Sequence, residues 1–237
     1  MSESIKELQI ADLSCTLYLP PDYDCQTIHY PAVYINGEAP VKEILAELKK
    51  LSVPADFLLL SVKPKDWNDD FTPWKAPAFR EGEKIPGGNA DAFIAKLTEV
   101  IKPYMDMHYR TKPCAEDTIL LGYSLGGLAA LYSLCRTDQF AKIGSLSGSL
   151  WYDGFVEFME GMQYIKTDRR IYLSLGKKEA KCRNARMGQA AECTKKIQEI
   201  LENKMGKENV TFEWTDGGHF HEIPKRFAKA LLWFLQF

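Results

Sequence analysis

Gly122-Tyr123-Ser124-Leu125-Gly126-Gly127 reads G-x-S-x-G-G, the pattern of a nucleophile elbow, in which a serine sits on a sharp turn between a strand and a helix. Before it, Thr118-Ile119-Leu120-Leu121 is short and apolar with a β-branched start, as a buried strand should be. After it, Leu128 to Arg136 is rich in Ala and Leu, as a helix should be. A serine squeezed between the two takes up a strained backbone conformation and pushes its hydroxyl into the open. Side chains two residues either side would collide in such a turn, which calls for glycine at 122 and 126. The same six residues also read as an ordinary strand-to-helix turn with glycines for close packing, so the rest of the chain has to decide.

The bulk properties narrow the field. At 237 residues the chain is one large domain or two small ones and can bury a substantial core. It is 46% hydrophobic and 26% charged with a net charge of −2, ordinary for a soluble globular protein. That balance argues against nucleic acid as a main partner, because neutralising phosphates needs a basic surface. Met1 to Ile10 has no apolar run and carries Glu3 and Glu7, unlike a signal peptide, and no stretch approaches a membrane span. Cys15, Cys25, Cys114, Cys135, Cys182 and Cys193 have neither C-x-x-C nor metal spacing. Without an export signal they are expected to be reduced and mostly packing residues, and the chain to be cytoplasmic.

Outward from the elbow, strands and helices alternate. Leu8 to Leu19 reads as a strand closed by Pro20-Pro21-Asp22-Tyr23, and Pro31 to Ile35 as a strand closed by Asn36-Gly37-Glu38. Val41 to Leu51 has one apolar helical face, and Phe57 to Val62 is a buried strand. Lys63 to Gly88 has four prolines and no period; a connection this long is expected to be a binding loop or lid. Asn89 should cap a helix carrying Phe93, Ile94, Leu97 and Ile101, and Pro103 should break or restart it. Beyond the elbow come strands at Phe140–Leu146, Arg170–Leu175 and Val210–Trp214, a helix over Met187–Lys204 closed by Gly206, and a terminal helix opened by Pro224. With no repeat and no linker, this predicts a single α/β domain over 1–237, a mostly parallel sheet with helices on both faces. Sites in such sheets lie at the carboxyl ends of strands, so Asn36-Gly37, Ser124, Ser147–Trp151, Gly176–Glu179 and Gly217–His219 should converge on one edge.

A serine hydroxyl is a poor nucleophile near neutral pH and needs a base, itself oriented by a third group. Among His29, His108, His219 and His221, the glycine-flanked loop between the last strand and last helix favours His219, with His221 as the fallback. Glu179, after the strand preceding the last, is the natural acid; Asp216 is too local to His219, and a serine–histidine pair without an acid stays open. An oxyanion hole needs two backbone N–H groups, expected from Leu125 and from Gly37 or Glu38. Nothing in the residues implies a metal or other cofactor.

Taken together, these residues resemble the putative-esterase family of α/β-hydrolases, which includes enterobactin and other siderophore esterases, esterase D (S-formylglutathione hydrolase) and the mycolyltransferases. The resemblance covers nearly the whole chain. It rests on Tyr18–Tyr23, Asp66–Trp74, Gly87–Phe93, Gly122–Gly127, Ser147–Trp151 and Gly217–His219, in that order. It implies an α/β-hydrolase fold, Ser124 as nucleophile, His219 as base, and an insert (about 63–88) that shapes the acyl or alcohol pocket with Trp151. Trp67, Phe71, Trp74 and Trp151 read as an apolar or aromatic substrate wall or as core, and Arg80 of the insert joins the candidate substrate-binding residues. The insert's charges balance, which does not favour capture of a polyanionic siderophore. The expected activity is hydrolysis of a small-molecule carboxylic ester through an acyl-enzyme. Acyl transfer to an alcohol and a non-catalytic binding protein are the rivals, and the oligomeric state is left open.

Overall fold

The computed structural model describes residues 4–164 and 168–236; the reading of Met1 to Glu3 above lies outside them. One eight-stranded sheet runs through the molecule: β1 (Ser4–Ile10), β2 (Leu13–Leu19), β3 (Ala32–Asn36), β4 (Leu58–Val62), β5 (Thr118–Tyr123), β6 (Lys142–Leu146), β7 (Arg170–Gly176) and β8 (Val210–Thr215). Their order is β1-β2-β4-β3-β5-β6-β7-β8. From β4 to β8 every pairing is parallel, while β1 and β2 join antiparallel. β3, β4 and β5 are buried on both faces, which is why they read as unbroken apolar runs rather than alternating ones.

The helices are α1 (Val41–Lys50), α2 (Trp67–Asp70), α3 (Ala90–Lys96), α4 (Lys102–His108), α5 (Leu125–Tyr132), α6 (Phe155–Gly161), α7 (Ala190–Met205) and α8 (Ile223–Leu235). α1 and α8 share one core cluster with Val33, Leu59, Leu121 and Tyr172 of the sheet. α3, α4, α5, α6 and α7 contribute to a second cluster with Tyr34, Leu60, Leu120 and Leu173, so the sheet is covered on both faces. Ile44, Leu48, Leu231 and Phe234 on the first side are fully buried. Each such side chain contributes roughly 1.5–3 kcal/mol, enough to hold α8, and with it the loop before it, against the sheet.

Three local expectations change or narrow. The single strand expected over Leu8–Leu19 is the turn and second arm of a hairpin: Ala11, at φ 51°, reverses the chain between β1 and β2. Pro103 restarts the helix rather than ending it, as the second residue of α4. A π-turn over Leu97–Ile101 precedes it, and the wider turn accommodates the ring where a regular helix would clash. Asn89 stands at the N-cap of α3, but its side chain makes no capping bond; its N–H instead donates to Asp69 O at 2.8 Å, tying the helix to the insert. That insert is largely irregular. Asp66 caps α2 by accepting from the N–H groups of Asn68 and Asp69 at 3.0 and 3.1 Å, and Lys84 pairs with Asp66 at 2.8 Å.

Candidate active site

The parallel register lines up the strand ends: Asn36 stands opposite Val62 and Gly122, Tyr123 opposite Leu146, and Gly176 opposite Thr215. The loops leaving them therefore meet at one edge. Ser124 links β5 to α5 at φ 57° and ψ −123°, a conformation that side-chain-bearing residues rarely adopt. A Cβ at Gly122 would overlap the carbonyl oxygen of Gly126, and one at Gly126 would overlap that of Asn36. The glycines thus permit the close approach that turns the serine outward.

Ser124 Oγ lies 3.1 Å from Nε2 of His219, and Nδ1 of His219 lies 2.8 Å from Oε2 of Glu179. The acid and the histidine loops are stitched together by the Lys178 N–H, which donates to Gly217 O at 2.9 Å. The structure therefore brings Ser124, His219 and Glu179 together in one hydrogen-bonded chain. Asp216 pairs with Lys177 at 2.7 Å, and His221 is exposed beside Glu222. A hydrogen-bond chain of this kind can draw a proton from the hydroxyl while the carboxylate holds the imidazole's orientation.

Glu179 is nearly buried, its side chain 7% exposed. Burial is the largest single influence and pushes its carboxyl upward. The hydrogen bonds from His219, the Ser147 hydroxyl and the Gly176 N–H together outweigh it, so the group sits below its ordinary value of 4.5. A carboxyl lowered on folding adds stability that is present above its unfolded value and lost as pH falls through the folded one. Replacing Glu179 with Gln also leaves Arg226 without its charge partner, a loss of about 3 kcal/mol for a broken buried pair. The melting-temperature gap between wild type and Glu179→Gln is thus expected to be steady above about pH 5 and to close at lower pH, as thermal unfolding across a pH series will read. Burial also pushes the Tyr123 phenol up to about 12, so it stays neutral and donates to the carbonyl of His219.

Two cavities flank the serine. The larger, about 620 Å³, is lined by Gly37, Glu38, Trp67, Tyr123, Phe220 and Phe227 with Ser124 and His219. The smaller, about 360 Å³, is lined by Arg80, Ser149, Trp151, Lys178 and Met187 with the same serine and histidine. Trp67, Arg80 and Trp151 thus line the cavities beside the serine. Phe71 and Trp74 do not. Phe71 is fully buried between Trp67 and Phe93, and Trp74 packs among Tyr132, Tyr152 and Phe158 with its indole N–H on Asp153 O at 2.9 Å. Both anchor the insert to the core, the other use open to an aromatic residue in a long loop.

Gly37 requires a similar correction. Its N–H donates to Val62 O at 2.9 Å, extending the sheet ladder, and so is not available to a substrate oxygen. The N–H groups of Glu38 and Leu125 have no partner among the described residues. Sequence reasoning missed Phe220, 84% exposed between the cavities, and Arg226 behind Glu179, and it gave no role to Ser149, whose Oγ lies 3.4 Å from that of Ser124, or to Ser147 beside Glu179. Ser147 and Ser149 were within reach of the strand-end rule, since they follow β6. Arg226 carried no signal, because a basic residue on an amphipathic helix ordinarily faces water.

Comparison with known proteins gives the family. The chain is 25% identical over 241 residues to the uncharacterized protein YbbA of Bacillus subtilis, spanning 98% of this chain and 96% of YbbA. Over 98 residues it is 26% identical to the siderophore enterobactin esterase of Emericella nidulans, a match to 41% of this chain and 32% of that protein. Its fold superposes on the siderophore hydrolase EstB of Aspergillus nidulans with a TM-score of 0.76 at 17% identity, covering 98% of this chain and 95% of EstB. Residues 10–233 match the model of the family described as "Putative esterase". With that match running through every strand end at the site, the chain belongs to this esterase family, an α/β-hydrolase-type carboxylic ester hydrolase.

Proposed function

We propose that the protein is a serine esterase working through an acyl-enzyme, with Ser124 at the tip of a nucleophile elbow. The observation that carries this reading is the continuous hydrogen-bond chain from Ser124 Oγ through His219 to Glu179 at the mouth of two cavities. Ser124 attacks the ester carbonyl while His219 Nε2 takes its proton and Glu179 steadies the imidazolium. The N–H groups of Leu125 and Glu38 receive the developing oxyanion. His219 then protonates the leaving alcohol, and a water it activates releases the acid and restores Ser124.

The imidazole's environment supports hydrolysis over transfer to an alcohol: the His219 side chain is 31% exposed, so water can reach the acyl-enzyme. Cavities on both sides of the serine fit an ester with a sizeable group on each side of the bond. Trp67 and Phe220 on one side and Trp151 on the other favour aryl or apolar groups. The relative named a siderophore enterobactin esterase supports including siderophore-type esters within that class. Six free cysteines are in keeping with a cytoplasmic enzyme. No helix among the described residues is long and apolar enough to cross a membrane.

An ester panel tests the proposal. Purified protein should hydrolyse short p-nitrophenyl esters, and catecholate-siderophore and aryl esters should separate the two substrate readings by kcat/KM. A fluorophosphonate probe should modify Ser124 by peptide mass spectrometry; modification at another serine would overturn the assignment.

A further inference from the structure

Arg226 lies on α8, is 1% exposed and lines neither cavity, yet its guanidinium reaches every part of the site's support. Nη1 donates to Oε1 of Glu179 at 3.1 Å, to the Ser147 hydroxyl, and to the Tyr123 hydroxyl at 3.3 Å. Nη2 donates to the carbonyl of Gly218 at 2.7 Å, the peptide directly before His219. One fork from one helix therefore grips the acid, the residue before the serine and the loop that carries the histidine.

The arrangement at Glu179 is asymmetric. Oε1 accepts from Ser147 Oγ at 2.6 Å, from the Gly176 N–H at 2.7 Å and from Arg226, while Oε2 faces His219 Nδ1. With three donors on one oxygen and a side chain only 7% exposed, the carboxylate cannot swing without breaking those bonds, so its other oxygen stays aimed at the imidazole. A buried charge pair of this kind is no net gain in stability over an apolar pair of the same volume. What it provides is direction. Arginine suits the task because its planar fork presents donors at fixed angles to several acceptors, as an ammonium does not.

We propose that Arg226 is a positioning residue for ester hydrolysis: it locks Glu179, and through it His219, in register with Ser124 without touching substrate. The inference rests on the serine-esterase reading above. Its signature is an effect on turnover that depends on Glu179 being present.

The test is a double-mutant cycle with p-nitrophenyl acetate, in full-length protein checked for folding by circular dichroism. Arg226→Met is expected to lower kcat about 50-fold with KM within about threefold of wild type, since small misplacements of the catalytic groups cost on that order. Fluorophosphonate labelling of Ser124 should slow in parallel, and Arg226→Lys, which keeps the charge but loses the fork, should recover only part of kcat. In the Glu179→Ala background the same Arg226→Met change should cost no more than about threefold, because groups that act as a unit are non-additive. Equal losses in both backgrounds, or full activity in Arg226→Met, would overturn the proposal while leaving the esterase reading intact. If Arg226→Met alone fails to fold, Arg226→Lys against wild type and Glu179→Ala/Arg226→Met against Glu179→Ala decide by the same criterion. Wild-type protein that neither turns over ester nor labels at Ser124 would overturn both.

Discussion

Ser124→Ala is expected to reduce kcat for short p-nitrophenyl esters by at least about a thousandfold while leaving the fold intact, because the covalent step has no substitute nucleophile. The neighbouring Ser149 hydroxyl, 3.4 Å away, is not expected to take over, since it lies in the loop after β6 rather than on the turn after β5 that presents Ser124 to His219. Thermal stability should change by no more than about 1 kcal/mol, as the hydroxyl borders two cavities and its loss opens no void in the core. Steady-state kinetics and thermal unfolding on the same preparations read both numbers. Wild-type turnover in the alanine variant would place the chemistry elsewhere.

Gly122→Ala is expected to damage both stability and activity, although the glycine touches no substrate. Its added methyl would run into the Gly126 carbonyl at the first turn of α5, a backbone contact that no rotamer change relieves. Overpacking a site of this sort costs about 3 kcal/mol, and the elbow can accommodate the methyl only by opening. A shift of about 1 Å at Ser124 is worth roughly a hundredfold in rate. Gly161→Ala is the matched control: nothing lies within 4 Å of its added Cβ, so it should be near neutral. Equal, small effects at both positions, in melting temperature and in kcat, would contradict the packing argument.

Much of this site was legible in the residues. Ser124 stood in a six-residue pattern whose glycine spacing has one steric reason, and the overlaps at Gly122 and Gly126 bear that reason out. The parallel sheet was legible because its central strands are short, unbroken apolar runs with helices between them. His219 and Glu179 came from chain order and from the rule that sites gather at strand ends, and the structure sets both within hydrogen-bond reach of one another. The N-terminal hairpin was half visible: the alternation was there, but the reversal at Ala11 uses a positive φ in a residue that does not advertise it.

What escaped the sequence shares a physical cause. Composition and periodicity describe what a residue prefers, whereas a site depends on which atoms are already occupied. Gly37 suits an oxyanion hole by its freedom to turn, but only the sheet register reveals that its N–H is bonded to Val62. Phe71 and Trp74 have the chemistry of a substrate wall, and only packing sets Phe71 in the core and Trp74 against it while Trp67 and Phe220 line the cavity. Arg226 looks like any basic residue on an amphipathic helix until α8 docks on the sheet and turns it inward onto Glu179. By itself, then, the sequence determined the fold class and singled out the candidate serine and the order of its proposed partners, because these follow from local sterics and from the pattern of apolar residues. The tertiary structure alone decided whether the acid is engaged, which amide is free and which aromatics face the cavities, because each depends on contacts between segments far apart in the chain.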